Sequence, residues 1–386
     1  MVVPRFPPPV VGGLERQAFE LSMQLPKFGH KVTVLSYRFA KSHEQDPLVS
    51  GVTVIRIQES KLPLVGLLLT AWSLARQVVG LRLTFEIVHV HTLSWFSAIA
   101  VMLAKIMRKK CVVKLANTGE RGIPGARGTF LGRLRIRILL CADCFVAMNE
   151  ASVGELRTIG VAETRVLFRP NGIRIQPGKE EFAVDESRSM ARVVFLSRLV
   201  KQKRCYDLLE AWKSLTADGV NAELLIAGTG PEGVALQVSA QRLGLRNVHF
   251  VGHIDDVESF LGSADILVLP SAHEGNSNSV LEGMRASLPI VATDIPGTRL
   301  QVGSEGKTLL YSVGDTKRLA ELISNLVRNR DLRRAIGVAM RLRVLKKFDM
   351  SKVTADYAAA YEVLIKCREA DMSKIGSVRR WGMSDA

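Results

Sequence analysis

The chain has 386 residues, 47% of them apolar and 23% charged, enough for two globular domains with sizeable cores. Its formal net charge of +16 points to an anionic partner, such as a membrane surface, a phosphorylated ligand or nucleic acid, or else to a surface that is simply basic. Aromatic residues are only 6% of the chain and do not interleave with Lys and Arg, which argues against nucleic acid, and no segment reaches the ~20 uncharged apolar residues of a spanning helix.

In chain order, Met1 to Val3 is too short for a strand of ordinary length. Gly12 and Gly13 precede a helix carrying Leu14, Ala18, Leu21 and Leu25 on one face. Glycines ahead of a helix let a phosphate approach the backbone; a plain loop is the other reading. Lys31 to Leu35, Val52 to Ile57, and Ile87 to Val90 read as strands, the last running into His91. Leu62 to Ala75 is the most apolar stretch. Pro63 opens it and Arg76 and Arg82 close it, so it reads as a packed helix, with a helix lying on a bilayer as the alternative.

Trp95 to Met107 is a helix and Cys111 to Leu115 a strand, followed by the loop KLANTGERG with Asn117 and Arg121. In FLGRLRIRILL, Leu131, Leu134 and Ile138 make one helical face and Arg133 and Arg137 another. With Arg127 and Arg108 to Lys110 they make the first half basic. That suits either a solvated face or anionic lipid headgroups, each charge worth about 1 kcal/mol near the surface. Cys141 and Cys144 form one CxxC without the other two ligands of a zinc site; both read as small buried residues beside the strand Cys144 to Met148. Five cysteines without a signal peptide fit a reducing compartment.

Val166 to Phe168 runs into Arg-Pro-Asn-Gly, and residues 174–190 are polar and poor in large apolar groups, as a linker is. Beyond it, the strand Arg192 to Leu196 ends in SRLVKQKR. Its Arg198 and Lys203 suit a diphosphate, Arg bidentately and Lys as a compact charge. Two surface cations are the blander reading. The helix Tyr206 to Leu215 and the strand Ala222 to Ala227 lead to Gly228-Thr229-Gly230-Pro231. Val248 to Val251 then runs into Gly252 and His253.

The richest stretch is Pro270 to Pro296. The run Ile266 to Leu269 ends in Pro-Ser. Glu274 and Gly275 follow, then the polar Asn276, Ser277, Asn278 and Ser279, a helix bearing Glu282, and a second apolar run, Pro289 to Ala292. Strand, polar loop, helix, strand places a ligand at strand C-terminal ends. The helix should start among the four cap-type residues, and its free N–H groups favour an anion. Leu309 to Val313 is the last strand. Met350 to Ile365 is a helix with Val353, Tyr357, Tyr361 and Leu364 at helical spacing, and the tail after Cys367 reads as loose.

Glu274-x7-Glu282 with these flanks resembles the retaining glycosyltransferases of family 4. The wording EGNSNSVLEGM is similar to their EGxxNxxLEAM, SRLVKQKR to GRLxxxKG, and GTGP to GxGP, and Arg169 to Gly172 ends in the PNG phrase at the exit of their first domain. The resemblance covers nearly the whole chain and implies the α/β GT-B fold, two Rossmann-like domains facing across a cleft. The domains are then 1–173 on the acceptor side, a linker 174–190, 191–347 for the nucleotide-sugar, a helix 348–368 crossing back to the first domain, and a tail 369–386.

It also implies roles. Glu282 holds the ribose hydroxyls. Glu274, with Gly275 and the backbone of Asn276, Ser277 and Asn278, positions the donor sugar. Arg198 and Lys203 take the charge developing on the diphosphate, and Gly13 and Gly230 line the donor. Glu274, Arg198 and Lys203 form the catalytic set, while His91, Asn117 and Arg121 lie on the acceptor side.

The chain departs from the family at several points. A full apolar strand belongs where Met1 to Val3 stands. Asn117 stands near the place of a catalytic-side His. Ser197 and Arg204 replace glycines, and Gly297, Thr298 and Gln301 replace a glycine pair and a later Glu. No Asp-x-Asp is present, so no metal or other cofactor is expected, only a nucleoside-diphosphate sugar as co-substrate. The implied partners are that donor and a glycan or lipid-linked acceptor, with an anionic membrane surface as a further candidate and no nucleic acid. The rivals are a nucleotide-sugar epimerase on the same fold, for which no His and carboxylate set is seen, and a degenerate, non-catalytic homologue.

Overall fold

Short apolar runs separated by amphipathic helical segments give parallel strands covered by helices on both faces. The computed structural model describes residues 1–7, 12–38, 48–49, 51–58, 63–119, 122–175 and 188–366. Two compact units result. One runs from Met1 to Arg174 and includes the helix that begins at Met350; the other runs from Ile175 to Asp349.

The first unit carries β1 (Thr33–Arg38), β2 (Leu48–Val49), β3 (Val52–Gln58), β4 (Ile87–Val90), β5 (Lys110–Lys114), β6 (Cys144–Ala147) and β7 (Val166–Phe168). They form two ladders, β1-β3-β2 and β4-β5-β6-β7. Val2 joins them, bridging in parallel to Leu35 on one side and Val90 on the other. Val2 N–H donates to the His89 carbonyl at 2.8 Å and Leu35 N–H to that of Met1 at 2.8 Å. The short N-terminal segment therefore supplies the central rung although it forms no strand of ordinary length. The amino group of Met1 is buried, donates to the Thr33 carbonyl at 2.6 Å, and has its pKa drawn down to about 5 by burial.

The helices of this unit are α1 (Gly13–Gln24), α2 (Pro63–Gly80), α3 (Trp95–Ile106), α4 (Ile123–Arg127), α5 (Phe130–Leu139) and α6 (Glu150–Thr158). Helix α1 starts at the glycine pair and buries Ala18 and Leu21. Helices α2, α3 and α5 pack side by side on a core that includes Leu74, Phe96, Val101, Val113, Ile136 and Leu139. Two expectations change here. Helix α2 runs past Arg76 to Gly80 and, among its side chains with described burial, buries the stripe Gly66, Thr70, Leu74 and Val78. Helix α5 buries Gly132, Ile136 and Leu139, leaving Leu131 and Leu134 exposed beside Arg133 and Arg137. Both helices are apolar on more than one side, so periodicity alone does not select the packed face. Cys144 is buried as expected, but Cys141 is exposed beyond the end of α5.

The second unit carries β8 (Ala191–Leu196), β9 (Ala222–Ala227), β10 (Val248–Gly252), β11 (Ile266–Leu269), β12 (Ile290–Thr293) and β13 (Leu310–Tyr311). They form one parallel sheet in the order β10-β9-β8-β11-β12-β13. Its helices are α7 (Cys205–Ala217), α8 (Gly233–Arg242), α9 (Val257–Gly262), α10 (Asn278–Arg285), α11 (Pro296–Gly306), α12 (Thr316–Arg328) and α13 (Arg330–Lys347). The strand order reverses direction between β8 and β11, the topological switch point where open α/β sheets bind ligands.

Helix α14 (Met350–Lys366) packs on the first unit, with Val353, Tyr357, Tyr361 and Leu364 buried in a core that includes Val34, Val146 and Leu167. The Arg169–Gly172 phrase receives it. Arg169 pairs with Asp356, and Met350 N–H donates to the Ile173 carbonyl at 2.9 Å. A Cβ on Gly172 would lie 2.9 Å from the Met350 Cα, so the close approach requires glycine there. Residues 176–187 of the expected linker, and the tail beyond Lys366, lie outside the described residues.

Candidate active site

Two loops leave the sheet of the second unit at its switch point. After β8 the chain passes Arg198, makes a 3-10 turn over Lys201–Lys203 and enters α7. After β11 it passes Glu274 and enters α10. Gln202 ties the loops together: its carbonyl accepts from Ala272 N–H at 2.9 Å, and its side chain donates to the His273 carbonyl at 2.6 Å. Lys203 and Glu274 meet in an ion pair, both largely buried. The structure thus brings together two residues that the sequence places 71 positions apart. Arg198 lies on the same loop as Lys203 with its side chain exposed and makes no ion pair with a described residue.

The glycines of the β9 exit hold the Arg198 loop. A Cβ on Gly228 would lie 1.9 Å from the Ser197 carbonyl oxygen, and one on Gly230 would lie 2.2 Å from that of Leu199. Only glycine lets the two turns nest. Arg204, one of the two glycine replacements, takes the left-handed φ of +48° that a glycine adopts without strain. It closes a bidentate pair with Asp207, at 2.6 and 3.1 Å, which offsets some of that conformational cost.

Helix α10 begins where the cap chemistry predicts: Ser277 is its N-cap, accepting from Val280 N–H. Its N-terminus follows the loop from β11, and the free N–H groups of a helix N-terminus favour an anion. Glu282 lies in the second turn, 6% exposed, among Val280, Leu281 and Met284. Gly283 stands where the motif has alanine, and a Cβ there would lie 2.5 Å from Leu267 Cδ2.

Gln301 answers another departure. Its Oε1 accepts from Ser277 N–H at 3.1 Å and its Nε2 donates to the Ser277 carbonyl at 2.7 Å, in full burial. A carboxamide can do both; an ionised carboxylate can only accept. Arg343 holds Gln301 in turn, donating to the carbonyls of Gln301 at 2.7 Å and Leu300 at 3.0 Å. Its guanidinium fills the space beside Gly303, where α11 kinks at φ +59°. A Cβ on Gly297 would lie 2.5 Å from the Glu274 carbonyl oxygen, so that glycine admits the Glu274 loop. Sequence reading singled out neither Gly297 nor Gln301 as part of the site; the amide and glycine types at the loop's contact points were the available signal.

In the first unit, Gly13 opens α1 behind the extended Gly12. Asn117 is exposed beyond β5. Its loop is held by Glu155 of α6, which accepts from Gly119 N–H at 2.6 Å and Ile123 N–H at 3.0 Å, while Arg121 lies outside the described residues. His91 is 1% exposed and stacks on His89 with ring centroids 4.2 Å apart. His89 in turn meets the Tyr361 hydroxyl at 2.6 Å. Burial holds both imidazoles well below the usual histidine range, and the nearby ammonium of Lys114 adds to it. Lys114, buried and donating to Asn171 Oδ1 at 2.8 Å, is itself drawn down to about 8 by burial. His91 is thus a core residue in this structure. In the second unit His253 is a surface residue beside Asp255, at 3.4 Å. Among the described residues no three or more of His, Cys, Asp and Glu gather as a metal site would require.

Known proteins share this fold. Anabaena HepE, in a crystal structure with UDP-glucose, superposes with a TM-score of 0.76 at 16% identity, over 94% of this chain and 98% of that one. It shares the GT-B fold. N-acetyl-alpha-D-glucosaminyl L-malate synthase of Bacillus anthracis is 27% identical over 374 residues, 92% of this chain and 94% of its own. Glycogen synthase of Mycobacterium tuberculosis is 29% identical over 395 residues, 94% of this chain and 93% of its own. The family described as "Glycosyltransferase Family 4" matches residues 11–176, and that described as "Glycosyl transferases group 1" matches residues 191–329. With both halves matched in order and the paired loops in place at the switch point, the chain belongs to the family 4, group 1 glycosyltransferases.

Proposed function

We propose that this glycosyltransferase moves a sugar, with retention of anomeric configuration and without a divalent cation, from a nucleoside-diphosphate sugar to a glycan or lipid-linked acceptor of the cell envelope or an exopolysaccharide, working in the cytoplasm at the inner face of the membrane. The observation that carries this reading is the Lys203–Glu274 ion pair between the loops that leave the adjacent strands β8 and β11, with Arg198 on the first loop and the N-terminus of α10 ending the second. Two cations and a helix terminus are what a departing diphosphate needs. Glu282, near the start of α10, takes the ribose hydroxyls. Glu274, with the backbone of Gly275 to Asn278, positions the sugar.

The bond from the anomeric carbon to the diphosphate breaks with its electron pair on the phosphate oxygen. The acceptor hydroxyl oxygen bonds to the anomeric carbon on the same face, and its proton passes to the departing phosphate. Lys203 swings its charge from Glu274 toward the leaving group as the donor enters. UDP-sugars are the first donors to test, since HepE was crystallised with UDP-glucose.

A thermal-shift panel of UDP- and GDP-sugars reads the donor; a ligand at a hundred times its Kd adds about 2.7 kcal/mol of stability. Turnover with the donor so found should continue in EDTA and yield the anomer of the donor. Inversion, or activity lost in EDTA and restored only by manganese, would sink the proposed mechanism.

A further inference from the structure

Helices α2, α3 and α5 form one layer on the first unit, and the outer side of that layer is unusual. Leu68, Leu69 and Trp72 on α2 are exposed, Trp72 at 65%. So are Met102 and Ile106 on α3, and Phe130, Leu131 and Leu134 on α5, with Phe130 at 75%. Leu83, in the turn after α2, is 87% exposed. More than half of the exposed large apolar side chains among the described residues fall in this one layer and its turn. The helices themselves carry charge of one sign: no Asp or Glu occurs in α2, α3 or α5, while Arg76, Arg82, Arg127, Arg133 and Arg137 are all exposed on the layer or at its ends; carboxylates flank it at Glu86, past the turn, and at Asp143, which pairs with Lys105 of α3 at 3.0 Å. Arg76 lies over the Trp72 ring, 5.9 Å from its centroid.

A protein partner would ordinarily be met with charges of both signs around an apolar centre. Aromatic and aliphatic tips among arginines alone match a bilayer surface carrying anionic headgroups. Arginine stems lie along the apolar layer while their guanidinium groups reach the phosphates. No helix among the described residues is long and apolar enough to cross a membrane.

We propose that this three-helix face docks the protein on an anionic bilayer, with Trp72, Phe130 and their aliphatic neighbours entering the interface and the arginines holding headgroup phosphates. The surface stands on its own geometry; that it serves a lipid-linked acceptor rests on the function proposed above.

The test is co-sedimentation of the full chain with vesicles of phosphatidylcholine alone or with a third phosphatidylglycerol, at low and high salt. Wild type should partition to the anionic vesicles, weakly to the neutral ones, and less as salt rises. The pair Arg133→Glu and Arg137→Glu, and separately Trp72→Ser with Phe130→Ser, should each lower that partitioning about tenfold or more. All four side chains are exposed, so melting temperature and nucleotide binding should stay at wild-type values. Equal partitioning to both vesicles, or variants that bind like wild type, would overturn the proposal. So would a dimer in analytical ultracentrifugation that Trp72→Ser with Phe130→Ser dissolves, since the face would then belong to a second copy. Nucleotide calorimetry on the same samples reads the transferase function separately, because it can fail while vesicle binding holds.

Discussion

Arg198 is exposed and makes no ion pair with a described residue, so its removal costs the fold little. Arg198→Ala should lower kcat/KM on the order of 100-fold with an unchanged melting temperature, measured by steady-state transfer and calorimetry. A variant at wild-type rate would remove Arg198 from the reaction. His89 and His91 make a second prediction. Both are neutral in the folded protein, held there by burial first. In the unfolded chain they protonate as pH falls through the ordinary histidine value near 6.5. The unfolded state then binds protons that the folded state refuses, so stability falls as pH drops below about 6.5. His91→Asn should flatten that loss between pH 7 and 5, read as the slope of melting temperature against pH. At this scale the cations and carboxylates were legible in the sequence because their chemistry is local. The burial of His91 was not, since a polar residue after a strand can face either the ligand or the core, and only the stacking on His89 and the return of Tyr361 decide it.

Among the elements, α10 and the loop before it carry Glu282 and Glu274, and Gln301 holds the Ser277 backbone where that loop enters the helix. Gln301→Glu keeps the shape but turns a donor into an acceptor opposite the Ser277 carbonyl. It should destabilise the protein by roughly 1–3 kcal/mol and raise KM for the donor while leaving KM for the acceptor unchanged. Melting and donor titration check both, and a variant matching wild type in the two would dismiss the clamp. Gly297→Ala, whose methyl group would press on the Glu274 carbonyl, should cut activity on the order of tenfold or more, as displacing a reacting group does. The strands were legible because apolar runs of four to six residues stand between turn signals. The clamp was not, because a side chain holding a backbone 24 residues away leaves no periodic trace. Nor was the outward face of α2 and α5, where apolar residues occur on both sides of the helix.

Across the whole molecule, the first unit closes only when α14 arrives. Chains ending at Phe348 should be aggregated or molten, with the apolar surface around Val146 and Leu167 uncovered, and dye binding and near-ultraviolet circular dichroism would report it. A folded, monomeric truncation would show that α14 is dispensable. The α14 stripe was legible from Val353, Tyr357, Tyr361 and Leu364, whereas its seat was not: nothing local in Arg169–Gly172 says that a helix beginning at Met350 will rest against that glycine.

That seat carries a consequence for biosynthesis. The second unit is an insertion in the first, since its residues emerge from the ribosome after Arg174 and before Met350. The nascent amino-terminal half must therefore wait, unfinished, through the translation of an entire domain. A chaperone that shields it during that interval, or a rapid fold of the inserted domain that shortens the wait, should govern yield more than the intrinsic stability of either half.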